Sequence, residues 1–148
     1  MVLWVAAGVV LPTWAATAQA QMALSAAINV SGSFRALSQR MAKAYCQQHL
    51  QVMPLAALDV LAKVRKQAQA GAADLAKGST AGAWPADLSR QLEEVQKQYT
   101  VLNTLTATAP SKASAAAVAE QADRMMTAAQ TATESLEKLA RARSAKLV

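Results

Sequence analysis

Apolar residues recur along much of this chain at steps of three and four, the spacing that gathers side chains on one face of an α-helix. The clearest run is Leu88, Leu92, Val95, Tyr99 and Leu102, whose alternating steps of four and three make a coiled-coil-like seam. A second seam passes through Val118, Ala122, Met125, Ala129, Ala132, Leu136 and Leu139. Upstream, Leu58, Leu61, Val64, Ala68 and Leu75 keep helical spacing. At about 100° per residue, Val30, Phe34, Leu37, Met41, Ala44 and Tyr45 project to one side of a further helix.

Breakers divide these runs into four segments. The first extends from about Met22 to Met53 and ends ahead of Pro54, because the residue before proline is pushed out of helical geometry. The second runs from about Leu55 to Lys77 and is expected to stop at Gly78, with Gly78–Pro85 as a loop. The third begins near Asp87, an N-cap or first-turn acid. Thr106–Ser114, with Pro110, separates it from the fourth. Short connections make successive helices antiparallel neighbours, so the expected fold is all-α, an antiparallel up-down four-helix bundle.

Composition agrees. Aromatics are only 4% and alanine is abundant, which favours helices over a sandwich or barrel. A length of 148 residues, 53% of them apolar, suffices for one core and one domain. The small residues of the fourth segment predict close helix approach. Met125 and Met126 read as gap-filling core, and Trp84 as a cover for the bundle end, with a ligand lid as the other reading.

The N-terminus adds a compartment. An apolar run from Met1 to Leu11, then Pro12, then Ala18-Gln19-Ala20 has the parts of a secretory signal peptide over residues 1–20, cleaved after Ala20, although no Lys or Arg precedes the run. The mature domain is then 21–148, in the periplasm. The alternative is a retained membrane anchor, against which stand Gln19, Gln21 and a run shorter than the roughly 20 residues a span requires.

Charge changes the picture most. The net +6 is uneven: nothing before Arg35 is charged and the first acid is Asp59, so Arg35, Arg40 and Lys43 lack local counter-charge. Nucleic acid is a poor partner, since Lys/Arg runs with interleaved aromatics are missing. An enzyme is not expected, because the sequence offers no nucleophile with a base, paired catalytic carboxylates, metal-ligand cluster or phosphate loop. With one cysteine, Cys46, an intramolecular disulfide is impossible; the residue reads as small and apolar, with intermolecular pairing as the minority reading. His49, alone near a helix end, reads as a solvated or capping residue, and no metal or cofactor is expected.

On the first segment, Asn29, Gly32, Arg35, Gln39, Arg40, Lys43 and Gln47 fall on the face opposite the core positions. A mid-helix glycine has a cost, which points to packing or close backbone approach. With Arg35 one turn away, Gly32 could open a cradle for a small planar anion, because a guanidinium matches oxyanions in a fork. Two copies of this helix across a two-fold axis would bring two such arginines together, and a bound anion would relieve their repulsion. The plain alternative is a solvated face with weak contacts to acids on other helices.

The run from Ile28 to Tyr45 resembles the signature of the periplasmic sensor domain shared by NarX-type nitrate/nitrite sensor kinases and PilJ-type methyl-accepting chemotaxis transducers of type IV pili. Its pattern, I-N-x-x-G-x-x-R-x-x-S-x-R, falls on Ile28, Asn29, Gly32, Arg35, Ser38 and Arg40, with departures at Ser31, Phe34 and Ala36. The resemblance implies a sensor acting in signal transduction or chemotaxis, with nitrate or nitrite bound at a homodimer interface between first helices. It implies that Gly32 and Arg35 contact the anion, with Arg40 and Asn29 in support. The competing expectation is a helical interaction module that docks on a membrane receptor or pilus component without binding a ligand.

Overall fold

A computed structural model describes residues 13–81 and 84–148, in four helices: α1 (Thr13–His49), α2 (Pro54–Ala81), α3 (Ala86–Thr106) and α4 (Lys112–Ala145). Among the described residues the chain has no strand. The apolar run Met1–Leu11 lies outside them. No described helix is long and apolar enough to cross a membrane.

The helices run up and down in order, as expected. α1 packs extensively on α4 and α2, and α3 on α4, whereas α2 and α3 barely meet. One core passes through all four helices. Phe34, Met41 and Tyr45 from α1, Val64 and Ala68 from α2, Val95 and Leu102 from α3, and Met125 and Leu136 from α4 are fully buried or nearly so. Small residues on α4, with Ala122, Ala129 and Ala132 wholly inaccessible, let α1 approach closely enough for the Ser31 hydroxyl to reach the Ala129 carbonyl at 3.3 Å.

Local chemistry sets most boundaries. α1 ends in a Schellman arrangement: Val52 N–H donates to Gln47 O at 2.9 Å and Gln51 N–H to Gln48 O at 3.2 Å. Gln51 occupies the left-handed position there at φ 56°, where glycine is the usual residue, and Met53 follows at φ 45°. Pro54 then opens α2, where its missing N–H is harmless. Ser111 caps α4 reciprocally with Ser114: each backbone N–H donates to the other's hydroxyl, at 3.1 and 2.8 Å.

Several boundaries differ from expectation. α1 starts at Thr13, nine residues before Met22, because its alanine-rich stretch contains nothing that stops a helix. α2 continues through Gly78 to Ala81, since a lone glycine weakens a helix without ending it. The start of α3 agrees: Pro85 is the cap residue and Asp87 is the first-turn acid, one of its two expected places. Leu58 is exposed, not core, and of the methionine pair only Met125 is buried. Trp84 is half-buried against the core, its Nε1–H donating to Gly78 O at 2.8 Å. Cys46 packs beside the core and is a free thiol.

Candidate functional site

Helical geometry divides α1 into three strips. One enters the core. A second, at Ser31 and Ser38, is polar yet fully buried and turns toward α4. The third faces solvent and holds Asn29, Arg35, Arg40 and Lys43, all exposed, beside half-buried Gly32.

Gly32 and Arg35 come together as their spacing suggests. The Arg35 Nε–H donates to the Gly32 carbonyl at 3.3 Å, and a Cβ at Gly32 would lie 3.4 Å from Arg35 Nη2. A methyl there would make only an ordinary contact, so it is the Gly32 carbonyl, not a missing side chain, that holds the guanidinium back over its own helix. Nη1 reaches across to the Gln130 side-chain oxygen on α4, and the Gln130 amide in turn donates to Glu134. Just beneath, Thr133 donates to Ser31 at 3.0 Å, so a buried hydroxyl pair underlies the exposed guanidinium.

Arg35, Arg40 and Lys43 have no ion-pair partner among the described residues. The ion pairs present there all join residues three or four apart on α2, α3 or α4. Arg35 meets a neutral amide and a carbonyl rather than a carboxylate, so its charge is oriented but has no counter-ion among the described residues. Such a group can accept an oxyanion in fork geometry. Weak contacts between the α1 cations and acids of other helices are not what forms; the contact to an acid comes from Gln39, which donates to Asp123 at 3.0 Å.

Arg40 and Asn29 do not join the Arg35 cluster. Arg40 lies five residues along α1, about 140° further round the helix, so it contributes field and not contact to a ligand held at Arg35. Gln130 and Glu134 have no signal in the sequence, because the register of α4 against α1 decides which of its residues meet Gly32. The buried pair has a signal in helical spacing, since Phe34 follows Ser31 and Leu136 follows Thr133 by three residues and both are core positions.

Among the described residues, no group of three or more His, Cys, Asp or Glu could hold a metal ion. A scan of family models matches residues 16–138 to the N-terminal domain of the type IV pili methyl-accepting chemotaxis transducer, PilJ. Neither a curated protein nor a solved structure matches significantly.

Proposed function

Because the chain belongs to the PilJ family of type IV pili chemotaxis-transducer N-terminal domains, a sensing and signalling context, we propose that it is a periplasmic sensing module for a small oxyanion, with nitrate or nitrite as the favoured ligand. The observation that carries this reading is Arg35 itself: a guanidinium oriented by Gly32 and Gln130, exposed on the outer strip of α1, with no carboxylate pairing it among the described residues.

The surroundings supply a mechanism. Arg35 holds α1 to α4 through Gln130. An oxyanion taking the guanidinium fork competes with that contact, so binding trades an α1–α4 tie for an α1–ligand bond. The α1–α4 contact at Arg35 then differs in energy between free and bound states, the condition for a ligand to shift one helix against another. The outer strip has Asn29, Ser33 and Ala36 flanking Gly32, all small enough for a second α1 to approach. In a homodimer of that kind an anion offsets the repulsion of two Arg35 side chains.

Calorimetric titration of the chain with nitrate and nitrite at low chloride, alongside Arg35→Ala, is the test. Saturable binding that the variant loses is the expected result. Full affinity in Arg35→Ala would remove the residue assignment, and no heat from a folded, dimer-competent sample would remove the ligand class.

One observation favours a second reading, an interaction module that docks on a membrane receptor or pilus component. The turn joining α1 to α2 presents Leu50 and Met53 to solvent, and the start of α2 adds Leu55 and Leu58, with Leu55 83% exposed. Contiguous exposed apolar groups of this kind mark protein contact surfaces. Loss of receptor crosslinking in Leu55→Asp, with no anion response in the parent chain, would favour this reading over the first.

A further inference from the structure

At the opposite end of the bundle a hollow of about 290 Å³ opens between the start of α1, the end of α2 and the start of α3. Its volume is close to the lower limit for small-molecule pockets, about 300 Å³. Three alanines of α1, Ala23, Ala26 and Ala27, leave the space that larger side chains would fill. Leu75 and Leu92 form its floor and continue into a second hollow of about 250 Å³ along the loose α2–α3 seam. Where α2 and α3 separate, a long polar arm spans the gap: Gln96 donates to the Ala72 carbonyl.

Two residues give this space a chemical direction. Trp84 lines it, and its Nε1–H is committed to Gly78 O at 2.8 Å, which fixes the indole and leaves its π-surface as the available aromatic group. Asp74 also lines it and has no hydrogen-bond or ion-pair partner among the described residues. Lys77 lies at the same rim, so a ligand cation competes with its ammonium for Asp74. A carboxylate beside a fixed indole attracts a cation, because both the charge and the ring quadrupole favour it.

Gly78 supplies an independent observation. Glycine destabilises a helix relative to alanine, so its presence calls for a reason. Gly71 has one, since a Cβ there would meet Val30 Cγ1 at 3.1 Å and Phe34 Cζ at 3.4 Å. At Gly78 a Cβ would meet nothing within 4 Å. Packing among the described residues therefore does not account for glycine at this position, which lines the hollow.

We propose that this hollow is a second binding site, separate from the Arg35 patch, for a small primary amine carrying an apolar or aromatic group. The apolar part occupies the space bounded by Ala26, Leu75 and Leu92, and the ammonium lies between the Asp74 carboxylate and the Trp84 ring. This site joins α1, α2 and α3, whereas the Arg35 patch joins α1 and α4, so the two ligands act on different seams.

The test is calorimetry of the full chain with phenethylamine, its uncharged counterpart phenethyl alcohol, and hydrocinnamate. Phenethylamine should bind saturably and about tenfold or more tightly than the alcohol, and hydrocinnamate should not bind. Asp74→Asn, an exposed substitution, should erase the preference for the amine. Ala26→Leu should abolish binding while leaving the cooperative melt in place. No saturable amine binding, equal affinity for amine and alcohol, or an undiminished preference in Asp74→Asn would each overturn the proposal. Nitrate binding by the same sample would be untouched by any of these outcomes, so failure here is distinguishable from failure of the anion reading.

Discussion

The hydroxyl of Thr133 on α4 donates to the hydroxyl of Ser31 on α1 at 3.0 Å, and Ser31 donates onward to the Ala129 carbonyl at 3.3 Å. Both side chains are essentially inaccessible to water, so each depends on the other helix or its own for hydrogen-bond partners. The pair fixes the register of α1 on α4 directly below Arg35. Either single truncation leaves the survivor beside the Ala129 carbonyl, so Ser31→Ala and Thr133→Val should each cost only about 0.5–1.5 kcal/mol. Ser31→Leu should cost about 1–3 kcal/mol by forcing the two helices apart. Urea denaturation would check the ranking, and a milder effect from leucine than from alanine would contradict close α1–α4 packing.

Tyr45 makes a comparable anchor at the other end. Its ring is fully buried in the core, and its hydroxyl lies 2.9 Å from Ser114 Oγ and 3.0 Å from both oxygens of Thr108, at the α3–α4 connection. Tyr45→Phe keeps the ring and removes this attachment, and should lower stability by about 1–2 kcal/mol. Hydrogen exchange should rise locally at residues 107–114; unchanged protection there would contradict the anchoring role.

Gln51 holds a left-handed conformation that closes α1, with no glycine to make it easy. Gln51→Gly should therefore raise stability, by about 0.5–1 kcal/mol, against the usual penalty for added glycine. A melting temperature below that of the parent chain would show that the Gln51 side-chain bond to Gln48 O, at 2.9 Å, outweighs the backbone strain.

The two glycines of α2 should respond differently to alanine. Gly78→Ala should gain about 0.5–1 kcal/mol from helix propensity, because the added methyl touches nothing. Gly71→Ala should gain less or lose, because Val30 and Phe34 must give way. Thermal melts of the two variants measure the difference, and the reverse order would mean that α2 sits further from α1 than it does here.

Burial raises the Tyr99 pKa above the ordinary tyrosine value, against a smaller opposing pull from Arg65. Its neutral form is thus favoured in the folded state, giving a stability contribution that is whole below the unfolded value of about 10 and is lost as pH rises through the higher folded value. Stability should fall over that alkaline range, and Tyr99→Phe should flatten the fall. Equal slopes in the two proteins would count against the burial of Tyr99 beside Phe34, its ring neighbour at 6.0 Å.

The sequence by itself determined the class of fold, the antiparallel order and most of the core. These follow from periodicity and short connections, which are local properties: Leu88, Leu92, Val95, Tyr99 and Leu102 were legible as a buried seam, and all are buried. It also determined that Gly32 and Arg35 meet, because three residues along a helix is one turn. Tertiary structure decided the rest, because register and spacing between helices depend on how all four surfaces fit at once. Only the packed bundle selects Gln130 as the partner of Arg35, places Ser31 and Thr133 together in the core, and leaves Leu58 in solvent despite its helical spacing. The hollow beside Trp84 has the same origin: no local pattern encodes a space, which exists only where α1, α2 and α3 fail to close on one another.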